Sequence, residues 1–493
     1  MTNLALDTLH RLPPDVGRPA YDPARVRIGI VHLGLGAFHR AHQAVYTDDV
    51  LAGDPRWGIL GVSMKTPRAT AALSAQDGLY TVLTKDAAST SARVIGALRA
   101  TAFALDEVTS VIARIAHPDV TVVTLTVTEK GYCRGAAGGL DFAHPDVAHD
   151  VLHPQSPRSA IGLLVAALDA RRTRGGEPIN MVTCDNLPAN GRVLERLVVE
   201  LASRRSADLA DWIAANVAFP MTMVDRIVPA TTPADELDVE QRIGMHDAAP
   251  VVAEPFGQWV IEDRFSAPLP DWARAGATIV HDVEPFETMK LRMLNGSHST
   301  LAYLGFLCGH ATIAGAASDP RLGRFVERQM NEEVAPSLHA PPGVRTRDYA
   351  RALMQRFTNP SLPHRTAQVA MDGSQKLPQR WMATVRENLA AGRSVRRLAL
   401  STAAWMRYVC GYDESGRAID VVDPMSAQLT ATAAAHREDP RGLANALFAI
   451  GSIFGEDLRA EPRIVDPVID ALSSLFDVGA ARTIERFEST QGA

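Results

Sequence analysis

Cysteine is scarce in this sequence. The 493 residues include four cysteines, which lie far apart and form no CxxC pair: Cys133, Cys184, Cys308 and Cys410. A structural zinc site or a disulfide framework needs paired or closely spaced cysteines, so neither is expected. The N-terminus lacks the basic start and apolar run of a secretory signal, and no apolar stretch reaches the roughly 18 residues of a membrane helix. We therefore expect a soluble protein of the reducing cytoplasm.

A strong charge of either sign is also missing. The formal net charge is −6 at pH 7 and no dense block of lysine and arginine occurs, which argues against binding to nucleic acid or to an anionic membrane. A hydrophobic content of 46% with 22% charged residues is typical of a globular protein. The length favours two or three domains. Nothing in the sequence requires a partner surface, so a monomer or a weak homo-oligomer is expected.

The two halves of the chain differ in their hydrophobic periodicity. In the first half, short runs rich in Val, Ile and Thr predict strands over residues 26–34, 57–63, 120–131, 179–186 and 277–285. Helical patterns such as residues 159–175 lie between them, and this alternation predicts an α/β domain with a mainly parallel sheet. Further along, helices punctuated by Gly and Pro dominate. We place an α/β domain at residues 1–285 and a predominantly α-helical domain at residues 286–493.

A glycine turn follows the first predicted strand. The stretch "IVHLGLGAFHRAH" contains Gly34 and Gly36 immediately before a helical pattern that begins near Ala37. In dinucleotide-binding folds such glycines permit a tight turn and let the backbone approach a pyrophosphate. The third glycine of the usual motif is replaced by His39. A GxG pair alone is equally typical of an ordinary strand-to-helix turn.

No acidic residue follows the second predicted strand, where the ribose of an adenosine would be bound. The stretch "GVSMKTPRA" at 61–69 contains Lys65 and Arg68 instead. Basic residues at this position could accommodate the 2′-phosphate of NADP, whereas an acid would indicate NAD. The residues therefore leave the choice between NAD and NADP open.

One predicted helix in the second half has an unusual polar face. On a regular α-helix over 286–306, a rotation of about 100° per residue gathers four polar side chains within roughly 140°: Glu287, Lys290, Asn295 and His298. A lysine whose pKa is lowered by burial can take the proton of a secondary alcohol, and an asparagine can stabilise the alkoxide-like oxygen. A histidine can orient a hydroxyl, and Glu287 could relay the proton to water. The alternative is a solvated helix edge with an ordinary Glu–Lys pair.

Two further features of the sequence suggest binding positions. Gly296 lies within the same helix, where glycine is unfavourable, and suggests the close approach of a ligand or of another chain segment. In "TCDNLPANG" (183–191) a predicted strand ends at Asp185 and Asn186. Carboxyl ends of strands present ligand-binding groups in open α/β sheets, although a turn asparagine with local hydrogen bonds is the alternative.

Six motifs, in this order along the chain, carry a resemblance to a known family. They are "GLGAFHRAH" (34–42), "TVTEKGY" (126–132), "CDNLPANG" (184–191), "FPMTMVDRIVP" (219–229), "KLRMLNGSH" (290–298) and "DGSQKLPQR" (372–380). By these motifs the sequence resembles the polyol-specific long-chain dehydrogenases/reductases, the mannitol dehydrogenase family. The resemblance implies an extended Rossmann-type domain, an α-helical C-terminal domain and metal-independent catalysis in the cleft between them.

The resemblance also implies roles for individual residues. Lys290 would be the general base and acid, Asn186 and Asn295 would stabilise the oxyanion, and His298 would bind a substrate hydroxyl. Asp225 and Lys376 would line the substrate pocket. The cofactor, NAD or in some members NADP, would contact Gly34, Leu35, Gly36, Ala37, Phe38 and Glu129.

The segment at 359–380 resembles the fructuronate reductase branch more than the mannitol branch. Its His364 and Arg365 matter because an arginine offers a charge-assisted, bidentate partner for the carboxylate of a hexuronate. The alternative is that both residues only cap or pair on a loop. The favoured hypothesis is the reaction of D-mannonate and D-fructuronate with NAD(H), and the second is oxidation of mannitol, arabinitol or sorbitol. A nucleotide-binding scaffold without turnover is the third.

Overall fold

The structure is a computed structural model that describes residues 2–135, 137–361 and 364–491. The chain divides into two compact units, Met1–Glu284 and Pro285–Ala493, called here the first and the second unit. No helix in the described ranges is both long enough and apolar enough to span a lipid bilayer.

Within the described ranges, the strands lie in the first unit. They are β1 (Ile28–Leu33), β2 (Gly58–Ser63), β3 (Tyr80–Lys85), β4 (Thr90–Ile95), β5 (Leu98–Phe103), β6 (Val122–Leu125), β7 (Ile179–Thr183), β8 (Val217–Ala218), β9 (Thr222–Asp225), β10 (Val251–Ala253), β11 (Gln258–Glu262) and β12 (Thr278–Val280). The largest sheet has the order β5-β2-β1-β6-β7-β8, and each neighbouring pair in it is parallel. The predicted parallel sheet is therefore confirmed.

Helices cover both faces of this sheet, so its central strands are buried along nearly their whole length. The α-helices of the first unit are Ala37–Ala41, Gln43–Val50, Arg68–Ser74, Val108–Ile115, Pro145–Leu152, Ala160–Thr173, Asn190–Arg205, Ala207–Asn216 and Pro233–Ile243. Short 3₁₀ helices occupy Leu6–Arg11, Pro23–Arg25, Pro55–Trp57 and Glu129–Tyr132. Two apolar cores result, one on each face of the sheet.

Two smaller sheets were not predicted. One has the order β10-β3-β4 and the other β12-β11-β9. The run at 277–285 does contain a strand, β12, but this strand pairs with β11 outside the large parallel sheet. Hydrophobic periodicity indicates that a segment is extended, whereas the partner of a strand depends on contacts that are distant in the sequence.

Helices joined by loops form the second unit over its described residues, with isolated β-bridges between Thr312 and Arg365 and between Tyr412 and Ala418. Its α-helices are Glu284–Met289, Gly296–Leu307, Ile313–Ser318, Pro320–Arg328, Thr346–Phe357, Thr366–Val369, Gly373–Leu377, Ala383–Ala390, Arg396–Tyr408, Ser426–Ala435, Pro440–Phe448, Gly451–Leu458 and Pro462–Gln491. Ala335–Ser337 is a 3₁₀ helix, and Lys290–Asn295, Gln329–Val334 and Pro378–Met382 are π-helical. Arg396–Tyr408 is buried on nearly every side and packs against Gly296–Leu307 and Pro462–Gln491.

Candidate functional site

The glycine turn after β1 has one position that only glycine can occupy. Gly34 has φ = +100°, and a Cβ atom there would lie 2.1 Å from the carbonyl oxygen of Thr126. Its N–H donates to the carbonyl of Val62 over 2.9 Å, which ties the turn to the end of β2. The first glycine is therefore required by the fold itself.

Gly36 is different, because no atom of the described residues fills the space beside it. Its backbone is extended (φ −98°, ψ −179°), and the nearest atom to an added Cβ would be the Gly34 oxygen at 3.8 Å. The open space is part of a cavity of 1160 Å³. A glycine beside a large cavity lets a phosphate group approach the backbone closely, because no Cβ atom stands between them.

Loops at the carboxyl ends of three parallel strands line this cavity. They are Gly34–Gly36 after β1, Ser63–Thr66 after β2 and Thr126–Thr128 after β6, and the N-terminus of helix Ala160–Thr173 also contributes. The predicted contacts Gly34, Leu35 and Gly36 lie on the wall, whereas Ala37, Phe38 and Glu129 do not. After β2, where an acid would bind the ribose, Met64, Lys65 and Thr66 face the cavity.

Two stacked histidines, one of which is hydrogen-bonded to Gly34, pack against the glycine turn. His39, at the place of the missing third glycine, is buried with its ring centroid 3.4 Å from that of His32. The Nε2–H of His32 donates to the Gly34 carbonyl over 3.0 Å, so its Nδ1 is the acceptor for the hydroxyl of Thr124. Burial lowers the pKa of both rings, that of His32 to about 3. The support is therefore uncharged at neutral pH.

Hydrogen bonds of Asn190 tie the segment after β7 to the start of β9. Asn190, which sequence reasoning missed, is buried and donates from Nδ2 to the carbonyls of Asp185 and Thr222 over 3.0 Å each. Its Oδ1 accepts the N–H of Thr222. Asn186 is exposed directly after Asp185, and Asp225 is the buried last residue of β9. The sequence signal that could have indicated Asn190 is its position as the second asparagine of "CDNLPAN", where a helix begins.

In the second unit, the prediction of a regular α-helix over 286–306 is wrong for one turn. Lys290–Asn295 is π-helical, between the α-helices Glu284–Met289 and Gly296–Leu307. Hydrogen bonds of the i→i+5 type widen this turn, so the angular spread computed for an α-helix does not apply. Lys290 and His298 are buried, while Glu287 and Asn295 are half-buried. Isolated π turns occur frequently at functional sites.

Side chains of the π segment Pro378–Met382 donate hydrogen bonds to backbone carbonyls at the end of the Lys290–Asn295 turn and the start of the next helix. Arg380 donates from Nη1 to the Asn295 carbonyl over 3.1 Å and to Ser299 Oγ over 2.9 Å, and the Trp381 indole donates to the Gly296 carbonyl over 3.1 Å. A Cβ atom on Gly296 would lie 3.3 Å from the backbone oxygen of Arg380. Of the two alternatives for this glycine, the structure therefore contains the close approach of a chain segment.

His298 lies among aromatic and cationic groups. Its ring contacts Phe357 at 4.8 Å and the edge of His364 at 5.5 Å between centroids. Burial, and then the nearby His364 and Arg380, hold the pKa of His298 well below its ordinary value, so the ring is neutral. Within the described residues, no partner reaches its buried Nε2. That nitrogen can therefore exchange a hydrogen bond with a hydroxyl group.

Two more cations belong to this neighbourhood. Burial lowers the pKa of Arg380 to about 10, and burial together with Arg380 lowers the pKa of Lys376. Lys376 donates to the carbonyl of Met371 over 2.5 Å, and as far as the chain is described neither cation forms an ion pair with a carboxylate. Arg365 is exposed, in contrast to His364 beside His298. The structure thus brings His298, His364 and Lys376 together.

A metal centre is not formed by the described part of the chain. Over residues 2–135, 137–361 and 364–491 no group of three or more His, Cys, Asp or Glu side chains is arranged to hold a metal ion.

Comparison with known families assigns the chain. Residues 28–274 match the mannitol dehydrogenase Rossmann domain, and residues 282–476 match the mannitol dehydrogenase C-terminal domain. The chain belongs to the mannitol dehydrogenase family. The predicted family, the predicted fold class and the predicted enzyme class are thereby confirmed: the protein is an oxidoreductase that acts on secondary alcohols with a nicotinamide dinucleotide.

Individual relatives of this mannitol dehydrogenase family member are similar over nearly the whole chain. The D-mannonate oxidoreductase of Escherichia coli (strain K12) is 46% identical over 95% of this chain and 97% of that protein. A mannitol 2-dehydrogenase of Phaeosphaeria nodorum is 40% identical over 95% of this chain and 83% of that protein. The structure of Pseudomonas fluorescens mannitol 2-dehydrogenase in a ternary complex with NAD and D-mannitol is similar with a TM-score of 0.86, 37% identity, and coverage of 99% of this chain and 100% of that chain.

Proposed function

We propose that this protein interconverts D-mannonate and D-fructuronate with NAD(H). The 46% identity to a D-mannonate oxidoreductase over 95% of this chain and 97% of that protein supports this substrate pair. The mannitol 2-dehydrogenase of Phaeosphaeria nodorum, at 40% identity, is less similar but not distant. Sequence identity alone therefore favours a hexuronate only slightly, and the proposal depends on the chemistry of the second unit.

The observation that carries the proposal is the set of cations beside His298. Lys376 and Arg380 are half-buried, burial lowers the pKa of both, and neither forms an ion pair with a described carboxylate, although Asp372 and Asp423 act on Lys376 from a greater distance. Cations withdrawn from water need a compensating anion. At about 4 Å and an effective dielectric constant of about 20, a carboxylate would interact with one such cation by about 4 kcal/mol. A hexuronate carries this carboxylate, and mannitol does not.

The second unit also supplies the groups for the alcohol itself. Lys290 is proposed as the base that takes the hydroxyl proton, with Glu287 one turn earlier as its exit towards water. Asn295 is proposed to donate its amide N–H to the oxygen on which negative charge develops. The neutral His298 can hold a neighbouring hydroxyl through Nε2.

Two groups of the first unit are proposed to complete the set. Asn186 would share the stabilisation of the oxyanion, and Asp225 would accept hydrogen bonds from substrate hydroxyls. Asn186 follows the carboxyl end of β7 in the parallel sheet, where open α/β sheets present ligand-binding side chains, and Asp225 is the last residue of β9.

NAD fits the cavity of the first unit. The tight turn at Gly34, the open side of Gly36 and the volume of 1160 Å³ are suited to the pyrophosphate and the remainder of a dinucleotide. When bound, this cofactor supplies the hydride acceptor. Lys65 on the cavity wall is suited to a phosphate as well, so NADP is proposed as a second, weaker cofactor.

A polyol is the alternative substrate class. The structural similarity to mannitol 2-dehydrogenase supports it, because that enzyme is described in complex with D-mannitol. The groups proposed to bind the reacting alcohol would serve mannitol, arabinitol or sorbitol equally well. Only the cations beside His298 would then lack a partner in the substrate.

Reduction assays distinguish the two proposals. The purified protein is given NADH with fructuronate or with fructose, the loss of NADH absorbance is followed, and both reactions are repeated with NADPH. We expect kcat/KM for fructuronate to exceed that for fructose by at least tenfold. Turnover of fructose without turnover of fructuronate would refute the hexuronate assignment and establish the polyol alternative.

A further inference from the structure

A strained residue lies on the wall of the cofactor cavity. Thr128 has φ = +65° and ψ = +163°, a backbone conformation that is essentially restricted to glycine. Threonine is β-branched, so its side chain makes this conformation especially unfavourable. Such a residue persists only where surrounding contacts hold it in place.

The contacts that hold Thr128 converge on one carboxylate. The N–H of Thr128 donates to Asp185 Oδ1 over 2.8 Å, and the N–H of Val127 donates to Oδ2 over 3.0 Å. The hydroxyl of Tyr132, buried behind the same loop, donates to Oδ2 over 2.8 Å. We call Asp185 with these three donors the Asp185 clamp.

The clamp connects two functional segments of the first unit. Thr126, Val127 and Thr128 form part of the cavity wall that is suited to the dinucleotide. Asp185 itself directly precedes Asn186, which is proposed to act on the substrate oxygen. One buried carboxylate thus fixes both the loop after β6 and the segment after β7.

We propose that Asp185 is a positioning residue that holds the strained loop 126–128 in the shape that binds the dinucleotide and sets the position of Asn186. This role depends on the dehydrogenase activity of the family and not on the choice between a hexuronate and a polyol.

The chemistry of the clamp requires a carboxylate. Each of its two oxygens accepts a backbone N–H, whereas an asparagine has one oxygen and an NH₂ group that would face a second N–H donor. Burial raises the pKa of Asp185, and the hydrogen bonds from Val127, Tyr132 and Thr128 act against this effect. An asparagine there would leave one buried N–H unpaired and the strained loop unsupported.

The test compares substitutions in the full-length protein. Asp185→Asn removes one acceptor, and Tyr132→Phe removes one donor while the carboxylate and both backbone contacts remain. Thr128→Gly, introduced into the Asp185→Asn protein, removes the strain that the clamp opposes. Asp247→Asn is the matched control, because Asp247 is an equally buried carboxylate of the first unit that accepts the N–H groups of Thr81 and Ala249.

Four quantities are measured for each protein: the dissociation constant of NAD by calorimetry, kcat, KM for NAD and the melting temperature. Asp185→Asn is expected to weaken NAD binding at least about tenfold, as for loss of one charge-assisted hydrogen bond, and to lower kcat. Tyr132→Phe should act in the same direction by a smaller factor. The added Thr128→Gly should recover most of the lost affinity, whereas Asp247→Asn should lower the melting temperature alone.

Two outcomes would overturn the proposal. One is an Asp185→Asn protein whose NAD affinity and kcat stay within twofold of the unsubstituted protein while its melting temperature falls as in Asp247→Asn. The other is the absence of any recovery on adding Thr128→Gly. If Asp185→Asn does not fold, unchanged NAD affinity in Tyr132→Phe refutes the role of the clamp by itself.

Discussion

Substituting the two glycines of the turn after β1, one at a time, separates the requirements of the fold from those of the cofactor. Gly34→Ala places a Cβ atom 2.1 Å from a backbone oxygen, at a φ of +100°. Gly36→Ala places one in open space, with its nearest neighbour at 3.8 Å and an ordinary φ of −98°. The same chemical change is thus made twice, two residues apart, in opposite environments.

The magnitudes follow from these environments. At Gly34 the unfavourable backbone region costs about 1–2 kcal/mol for a residue with a Cβ. Separating the methyl group from the Thr126 carbonyl requires a shift of about 1 Å at the end of β6, which adds about 1–3 kcal/mol as overpacking. The free energy of unfolding should therefore fall by about 2–5 kcal/mol. At Gly36 no such loss is expected, and alanine restricts the unfolded chain by about 0.4–1 kcal/mol in favour of folding.

Urea unfolding and NAD calorimetry measure the two consequences separately. Gly34→Ala should lose stability and, through the displaced turn, NAD affinity. Gly36→Ala should keep its stability but bind NAD at least tenfold more weakly, because its methyl group occupies the space of the ligand. If Gly36→Ala binds NAD with the affinity of the unsubstituted protein, the pyrophosphate does not lie against this turn, and the assignment of the cavity is refuted.

Three further predictions concern the second unit and the buried histidines. Lys290→Ala should lower kcat for alcohol oxidation by about 100- to 10,000-fold near neutral pH without weakening NAD binding, and an unchanged kcat would exclude lysine as the base. Arg380→Met should lower kcat/KM for fructuronate at least tenfold more than kcat/KM for fructose. Arg365→Leu is the matched control, because Arg365 is exposed. If Arg365→Leu and not Arg380→Met lowers kcat/KM selectively for fructuronate, Arg365 recognises the carboxylate. Burial lowers the pKa of four histidines: His32, His39, His298 and His364. Below about pH 6.5 the unfolded chain therefore binds more protons than the folded protein, and each histidine should lower the free energy of unfolding by up to about 1.4 kcal/mol per pH unit as the pH falls towards its folded pKa. Urea unfolding at pH 7, 6 and 5 measures this loss of stability.

Hydrophobic pattern predicted the parallel sheet well and the smaller sheets poorly. The strands β1, β2, β6 and β7 are apolar runs buried on both faces, and such runs are visible without knowledge of their partners. The predicted strand over 120–131 nevertheless ends at Leu125. It ends early because the next residues turn towards Asp185, a contact about sixty residues away that no local pattern can indicate.

The sequence identified candidate residues by type but did not indicate their surroundings. Lysine, asparagine and histidine in an apolar helix suggested a site, and the resemblance to the family implied their roles. The π turn, the backbone contacts of Arg380 and the exposure of Arg365 at the surface depend on packing between distant helices. The roles of Asn186, Asp225 and the other substrate and cofactor residues stay predictions until variants are measured.

The π turn at Lys290–Asn295 sets the spacing of the proposed catalytic residues along their helix. This turn packs against the other π segments, Gln329–Val334 and Pro378–Met382. A π turn holds one residue more than an α turn over nearly the same rotation, so a deletion inside it would restore α winding and leave the following helix in nearly the same orientation. His298 would then keep its aromatic contact with Phe357, while the widened turn that carries Lys290 and Asn295 would be lost. A one-residue deletion here therefore separates the need for the π geometry from the need for the proposed catalytic side chains themselves.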